Sequence, residues 1–164
     1  MGLERSELAV ITAEEIEREK GTLPFGWGRF GKALYGLIEI SGPDESLLAS
    51  CVGLNPEYRY RAKFVPGSPL SVGHALHQLT KATNVVMACT NERLIMVSTG
   101  GGGAPRDQVS LPYDGIEIVA QGKKEFTLGT PEGEIRIRGA AKQQVPAFLQ
   151  VLSTHARPAA PEPA

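Results

Sequence analysis

Hydrophobic and polar positions divide the chain into a helical start, a long β-patterned middle and a helical end. Residues 12–21, TAEEIEREKG, predict a short helix with Thr12 as N-cap and Glu15 three residues later in a capping box. Gly21 is its stop, and its mostly charged outer face places it at the surface. In FGWGRFGKALYGLIEISGPDE, Phe30, Leu34, Leu37 and Ile38 recur at helical spacing, with Trp27 and Ala33 on or near the stripe. Glycines in this segment lower its intrinsic helix propensity, so a packed face must compensate and the helix must dock on something.

From residue 47 the period changes. LLASCVGL is an apolar strand that the Asn55-Pro56 turn signal is expected to stop. YRYRAKFV then alternates, with Tyr58, Tyr60, Ala62 and Phe64 on one face and Arg59, Arg61 and Lys63 on the other. LSVGHALHQLTK predicts one or two helical turns. NVVMACT and RLIMVST form a hairpin turning at Asn91-Glu92, where Asn91 tolerates the positive φ of a tight turn. RLIMV lacks alternation, as expected of a strand covered on both faces, by an opposing sheet and by a helix.

Gly100 to Gly103 follow, then four short strands within about thirty residues, separated by turn signals at 112–115, 121–122 and 130–133. Short strands without intervening helices imply antiparallel pairing. The last element carries Ala141, Val145, Phe148, Leu149 and Leu152 as one stripe, with Pro146 in its first turn, so the regular helix starts near 144. Residues 156–164 read as a disordered tail. A sheet that curls over needs a cover for its open end, and this helix is placed to supply it.

Composition narrows the picture. The chain has 164 residues, 41% hydrophobic, with a net charge of −1, which gives no general pull toward nucleic acid. The charge is uneven: residues 1–55 hold 5 basic and 9 acidic groups, the remainder 12 and 9. No apolar run is long enough to span a bilayer. The first twenty residues carry early acids and no long apolar stretch, unlike a secretory signal. MGLERS fits the loose N-myristoylation pattern through Ser6, a pattern too short to weigh much. Cys51 and Cys89, each in an apolar run, read as buried thiols on neighbouring strands, with a disulfide or a reactive thiol as the alternative, and a reducing, cytoplasmic location is the expectation.

Thr90, Asn91, Arg93, Leu94 and Ile95, followed by Pro112, Tyr113, Asp114 and Ile116, with a closing amphipathic helix, resemble the bacterial pleckstrin-homology-like (PH-like) domains. The resemblance is strongest over 84–155 and extends to 30–54. It implies an α+β, mainly antiparallel β fold: a PH-like roll, barrel-like, of two near-orthogonal sheets of seven or eight strands. A C-terminal helix caps the roll, and one or two extra helices precede it. The division expected is 1–29 as an N-terminal helical extension, 30–155 as the PH-like domain with an insertion at 55–82, and 156–164 as tail. The resemblance implies no catalytic residues.

The chemistry read from the residues agrees. The glycine run lacks the Lys-Ser/Thr pair and following helix of a phosphate loop, so it is expected to be a mobile hairpin tip. His74 and His77 are one helical turn apart, but nothing near them in sequence completes a metal set. No serine lies in a nucleophile-elbow context, so catalytic residues, metal and cofactor are all expected to be none. Arg59, Arg61 and Lys63, about 7 Å apart along a strand face, form the leading binding candidate, with Lys123 and Lys124 at a turn. A solvated strand face is the alternative. Phe25, Trp27 and Phe30, beside Arg29 and Lys32, are interface candidates or simply a helix covering the sheet. Tyr113 is expected to bury its ring and leave its hydroxyl at the surface. The expectation is a non-catalytic binding or assembly module with a protein partner or a second copy of itself. An anionic surface or lipid headgroup is the alternative, and a small enzyme is disfavoured.

Overall fold

The structure, a computed structural model, describes residues 11–60, 76, 78–81, 84–100, 102–131 and 133–156, Tyr60 by its backbone alone. Arg61, Lys63, His74, His77, the Ser6 pattern and the tail from 157 lie outside the described residues. So does most of the 55–82 stretch read as an insertion.

Helix α1 spans Ala13–Lys20, and Thr12 caps it by accepting the Glu15 N–H at 3.2 Å. A 3-10 turn, Gly28–Phe30, leads into α2, Gly31–Ile40. Seven strands follow: β1 Leu47–Tyr60, β2 Asn84–Thr90, β3 Arg93–Thr99, β4 Pro105–Pro112, β5 Glu117–Gln121, β6 Phe126–Thr130 and β7 Gly133–Arg138. Helix α3, Val145–His155, closes the described chain with Pro146 in its first turn. All pairings are antiparallel, in the order β4-β3-β2-β1-β7-β6-β5. The sheet is open, with β4 and β5 at its two ends, and is not the closed barrel expected.

One strand holds the two halves together. Residues 47–54 of β1 pair with β2, and residues 54–60 pair with β7. The Asn55-Pro56 signal therefore does not end the strand; it marks a register shift between Leu54 and Glu57. Asn55 takes φ 50°, which its short polar side chain tolerates. Pro56 costs little at a bulge, where the ladder is already interrupted. The strand bends there and passes from one half of the sheet to the other. Gly53 permits the crossing, because a Cβ on it would lie 2.2 Å from Cγ2 of Ile137.

Two cores result. Leu94, Met96, Val85, Met87 and Cys89 face inward onto Phe126, Leu128, Ile135, Ile137 and the α3 stripe Val145, Phe148, Leu149 and Leu152. Ile95, Val97, Val86, Ala88, Leu47 and Val52 face outward onto Ile16, Phe30, Ala33, Leu34 and Leu37 of the N-terminal helices. Both faces of β2 and β3 are thus covered, which is why neither strand alternates in sequence.

Where β1 leaves β2 for β7, the vacated edge of its first half is satisfied from outside the sheet. Leu47 donates its N–H to Glu15 (3.0 Å), and its carbonyl accepts from Arg18 (2.7 Å). Val52 donates to Gln144 Oε1 at 2.9 Å and accepts from the Ala141 N–H at 2.9 Å. Gln144 also donates to Thr22 Oγ1 at 2.7 Å, tying the approach to α3 to the exit of α1. Without these partners the edge would carry unmet backbone groups at a substantial cost.

The Thr-Asn-x-Arg string builds a lock. Glu45, completely buried, receives Arg93 through Nε and an Nη at 2.9 Å each, Thr90 Oγ1 at 2.7 Å and the Gly42 N–H at 3.0 Å. Arg93 also donates to the Ile40 carbonyl (2.8 Å) and to Ser110 (2.9 Å), joining α2, the β2–β3 turn and β4. Asn91 is not in the positive-φ region; its side chain accepts the Ser46 N–H at 2.7 Å and donates to the Asp44 carbonyl at 2.8 Å. The residue pins the loop before β1 and is not there for its backbone freedom. Tyr113 also departs from expectation. Its hydroxyl is buried and donates to the Thr90 carbonyl, and its ring stacks on His155.

The glycine run is anchored at its last residue. Gly103, at φ +85°, lies so close to α2's leading turn that a Cβ would stand 2.2 Å from the Arg29 carbonyl oxygen. Gly103 N–H bonds the Gly100 carbonyl at 3.0 Å, and Gly100 N–H bonds Ala104 at 3.3 Å. Four glycines read as slack; Gly103 instead lets two backbones touch, whereas a Cβ on Gly102 would meet nothing within 4 Å.

Candidate binding surface

The outer face of the β1–β7–β6 half was expected to carry a basic stripe. Arg59 does point outward, opposite the core-facing Tyr58. Its neighbours neutralise it: Arg59 pairs with Glu57 at 3.2 Å, Arg138 with the same carboxylate at 3.4 Å, and Arg136 with Glu125 at 3.7 Å. Glu134 stands opposite Arg59 in the register, and Arg136 opposite Glu57. Among the described residues, arginines and glutamates alternate across strands, so their charges offset one another around Arg59.

The lysines behave differently. Lys123 and Lys124 are exposed at the β5–β6 turn, closed by Gly122 N–H to the Glu125 carbonyl at 2.7 Å. Ala140 donates its N–H to the Lys124 carbonyl at 2.7 Å, which brings the segment before α3 beside that turn. Lys142 arrives with it. Among the described residues none of these three lysines has a carboxylate within ion-pair distance.

Two grooves meet around Lys142. One, of about 730 Å³, runs between β5 and α3, floored by Ile118, Val145 and Leu149 and edged by Lys123 and Lys142. The other, of about 370 Å³, lies between the α1–α2 connection and the segment before α3, with Pro24, Trp27, Leu54, Lys124 and Lys142 in its wall. Neither is lined by an acidic side chain. By contrast, the depression over the arginine face, about 280 Å³, includes Glu57, Glu125 and Glu134.

The aromatic candidates separate. Phe30 is fully buried in the outer core and unavailable to a partner, because the hydrophobic stripe of α2 must cover β2 and β3. Trp27 rests edge-on against it, centroids 5.7 Å apart, with part of its ring in the groove wall. Phe25 is completely exposed. Lys142 escaped sequence reasoning: no spacing links it to Lys123 and Lys124, and the fold, through the Ala140–Lys124 bond, brings them together.

The two thiols are poorly placed for nucleophilic chemistry. Burial pushes the Cys51 and Cys89 thiols up to about 12, so neither is a thiolate near neutrality. Among the described residues no three metal-ligating side chains converge. No helix among them is long and apolar enough to cross a membrane.

The family described as "Bacterial PH domain" matches residues 43–154, from the loop before β1 to the end of α3. The chain belongs to the bacterial PH domain family. No curated protein matches it. The matched span begins after α2, yet α1 and α2 supply one side of the PH domain's second core. Members of this family are generally binding modules without catalytic function.

Proposed function

We propose that the protein is a non-catalytic binding module that engages an acidic partner protein through the surface formed by Lys123, Lys124 and Lys142. The observation that carries this is the contrast between its two basic regions. The arginines on the outer sheet face are matched by glutamates, whereas the three lysines are unpaired among the described residues and border grooves lined without acids. Unpaired charge around an apolar floor favours a complementary partner and speeds its encounter. Trp27 and the exposed Phe25 add the aromatic area that protein interfaces favour.

Affinity purification from cells expressing the tagged chain tests this, comparing wild type with K123E/K124E/K142E. The reading expects acidic partner proteins with wild type, lost both in the variant and in high salt. Equal recovery by the variant overturns it.

A further inference from the structure

We propose that the groove between β5 and α3 receives an extended acidic peptide segment, which adds to the sheet as a strand beside β5. The inference rests on the binding-module reading above and specifies its occupant.

The two ends of the sheet are not alike. β4 begins and ends in proline and exposes Arg106 and Asp107, features that deter a further strand. β5, Glu-Ile-Val-Ala-Gln, holds no proline, and Val119 is 46% exposed. Among the described residues, Ile118, Val119 and Ala120 make no backbone bond except those to β6. The bulge between Ile118 and Ala120 breaks the edge into short runs, which disfavours a long flat strand but leaves room for a short peptide.

Beside this edge the sheet does not face open water. α3 stands next to β5, and the groove between them has Ile118 on one wall and Val145 and Leu149 on the other. An extended chain laid along β5 turns alternate side chains to opposite faces. One set meets this apolar floor; the other meets solvent. Backbone bonding supplies affinity and the floor supplies selectivity, as in other strand-addition sites. Lys123 and Lys142 at the rim, with no acid in the lining, set the sign of the flanking residues. A helix would bury its own backbone groups internally and leave the β5 edge unused, so the extended form is the better match.

The test uses the isotope-labelled full chain and three probes. These are a capped peptide of alternating valine and glutamate, its valine–lysine counterpart, and vesicles of equal parts phosphatidylcholine and phosphatidylglycerol. The proposal expects amide shifts confined to 117–123 and 142–153 with the acidic peptide alone. It also expects amide exchange in β5 to slow by about tenfold or more as new hydrogen bonds form. Ser153→Trp, which fills the groove from an exposed position on α3, abolishes both effects, and Arg59→Glu preserves them. Shifts without slowed β5 exchange overturn strand addition, as do equal binding of the lysine peptide or a response to vesicles alone. If the acidic peptide fails while partner recovery still depends on the three lysines, strand addition falls and the lysine surface stands. If both fail, both fall.

Discussion

Arg93 grips Glu45 with two nitrogens at 2.9 Å each, across a sequence separation of 48 residues. The carboxylate is wholly buried and the guanidinium partly so. This pair, with Thr90 and the Gly42 N–H, joins the helical layer to the β2–β3 turn. Removing one partner of a buried, hydrogen-bonded pair strands the other. Arg93→Met should therefore cost about 3 kcal/mol of folding stability. The double variant E45M/R93M should recover much of it, since the uncompensated charge is gone. Urea unfolding of the two variants checks this.

The same site gives a pH dependence. Burial raises the Glu45 carboxyl, but bonds from Arg93, Thr90 and Gly42 outweigh it and hold its value below the ordinary one. A carboxyl depressed in the folded state contributes stability above its unfolded value. That contribution is lost as pH falls through the folded value. Stability should thus fall from about pH 4 downward, and Glu45→Gln should flatten that part of the profile. Unfolding midpoints of both proteins across acid pH measure it.

Gly103→Ala places a methyl against the Arg29 carbonyl at φ +85° and should cost about 1–3 kcal/mol. Gly102→Ala, with nothing within 4 Å and no positive φ, should change stability by less than about 0.5 kcal/mol. Thermal unfolding of the pair separates a docked turn from a free tip.

Cys51 and Cys89 are buried and free, with values pushed up to about 12 chiefly by burial. A thiol reagent at mildly alkaline pH should label them only at the rate of unfolding. Labelling unaffected by added denaturant would show that the thiols are reachable in the native state.

Much of this architecture was legible in the chain because local pattern and tertiary role coincide. The Thr12 cap, the Asn91-Glu92 hairpin and Pro146 at the start of α3 depend on neighbours in sequence. The unbroken apolar run in β3 reports its double coverage directly. Asn55-Pro56 misled because a bulge and a turn share their residue preferences, and only the partner strand β7 shows that the ladder resumes. Gly103 misled similarly, since close backbone approach and slack both call for a missing side chain. On the binding surface, Glu57 is only two residues from Arg59, but Glu134, which stands opposite it in the register, is far away in sequence and only the fold brings it near. Lys142 was invisible for the same reason, as its neighbours are set by the fold.

The central claim is that partners meet the lysine surface and not the arginine face. Site-specific photo-cross-linking in living cells tests it most directly, with the photoreactive residue placed in turn at Lys123, Lys142 and Arg59. The account predicts a protein adduct from positions 123 and 142 that high salt disperses before irradiation, and none from position 59. Adducts from position 59 alone, or from none of the three, would contradict it.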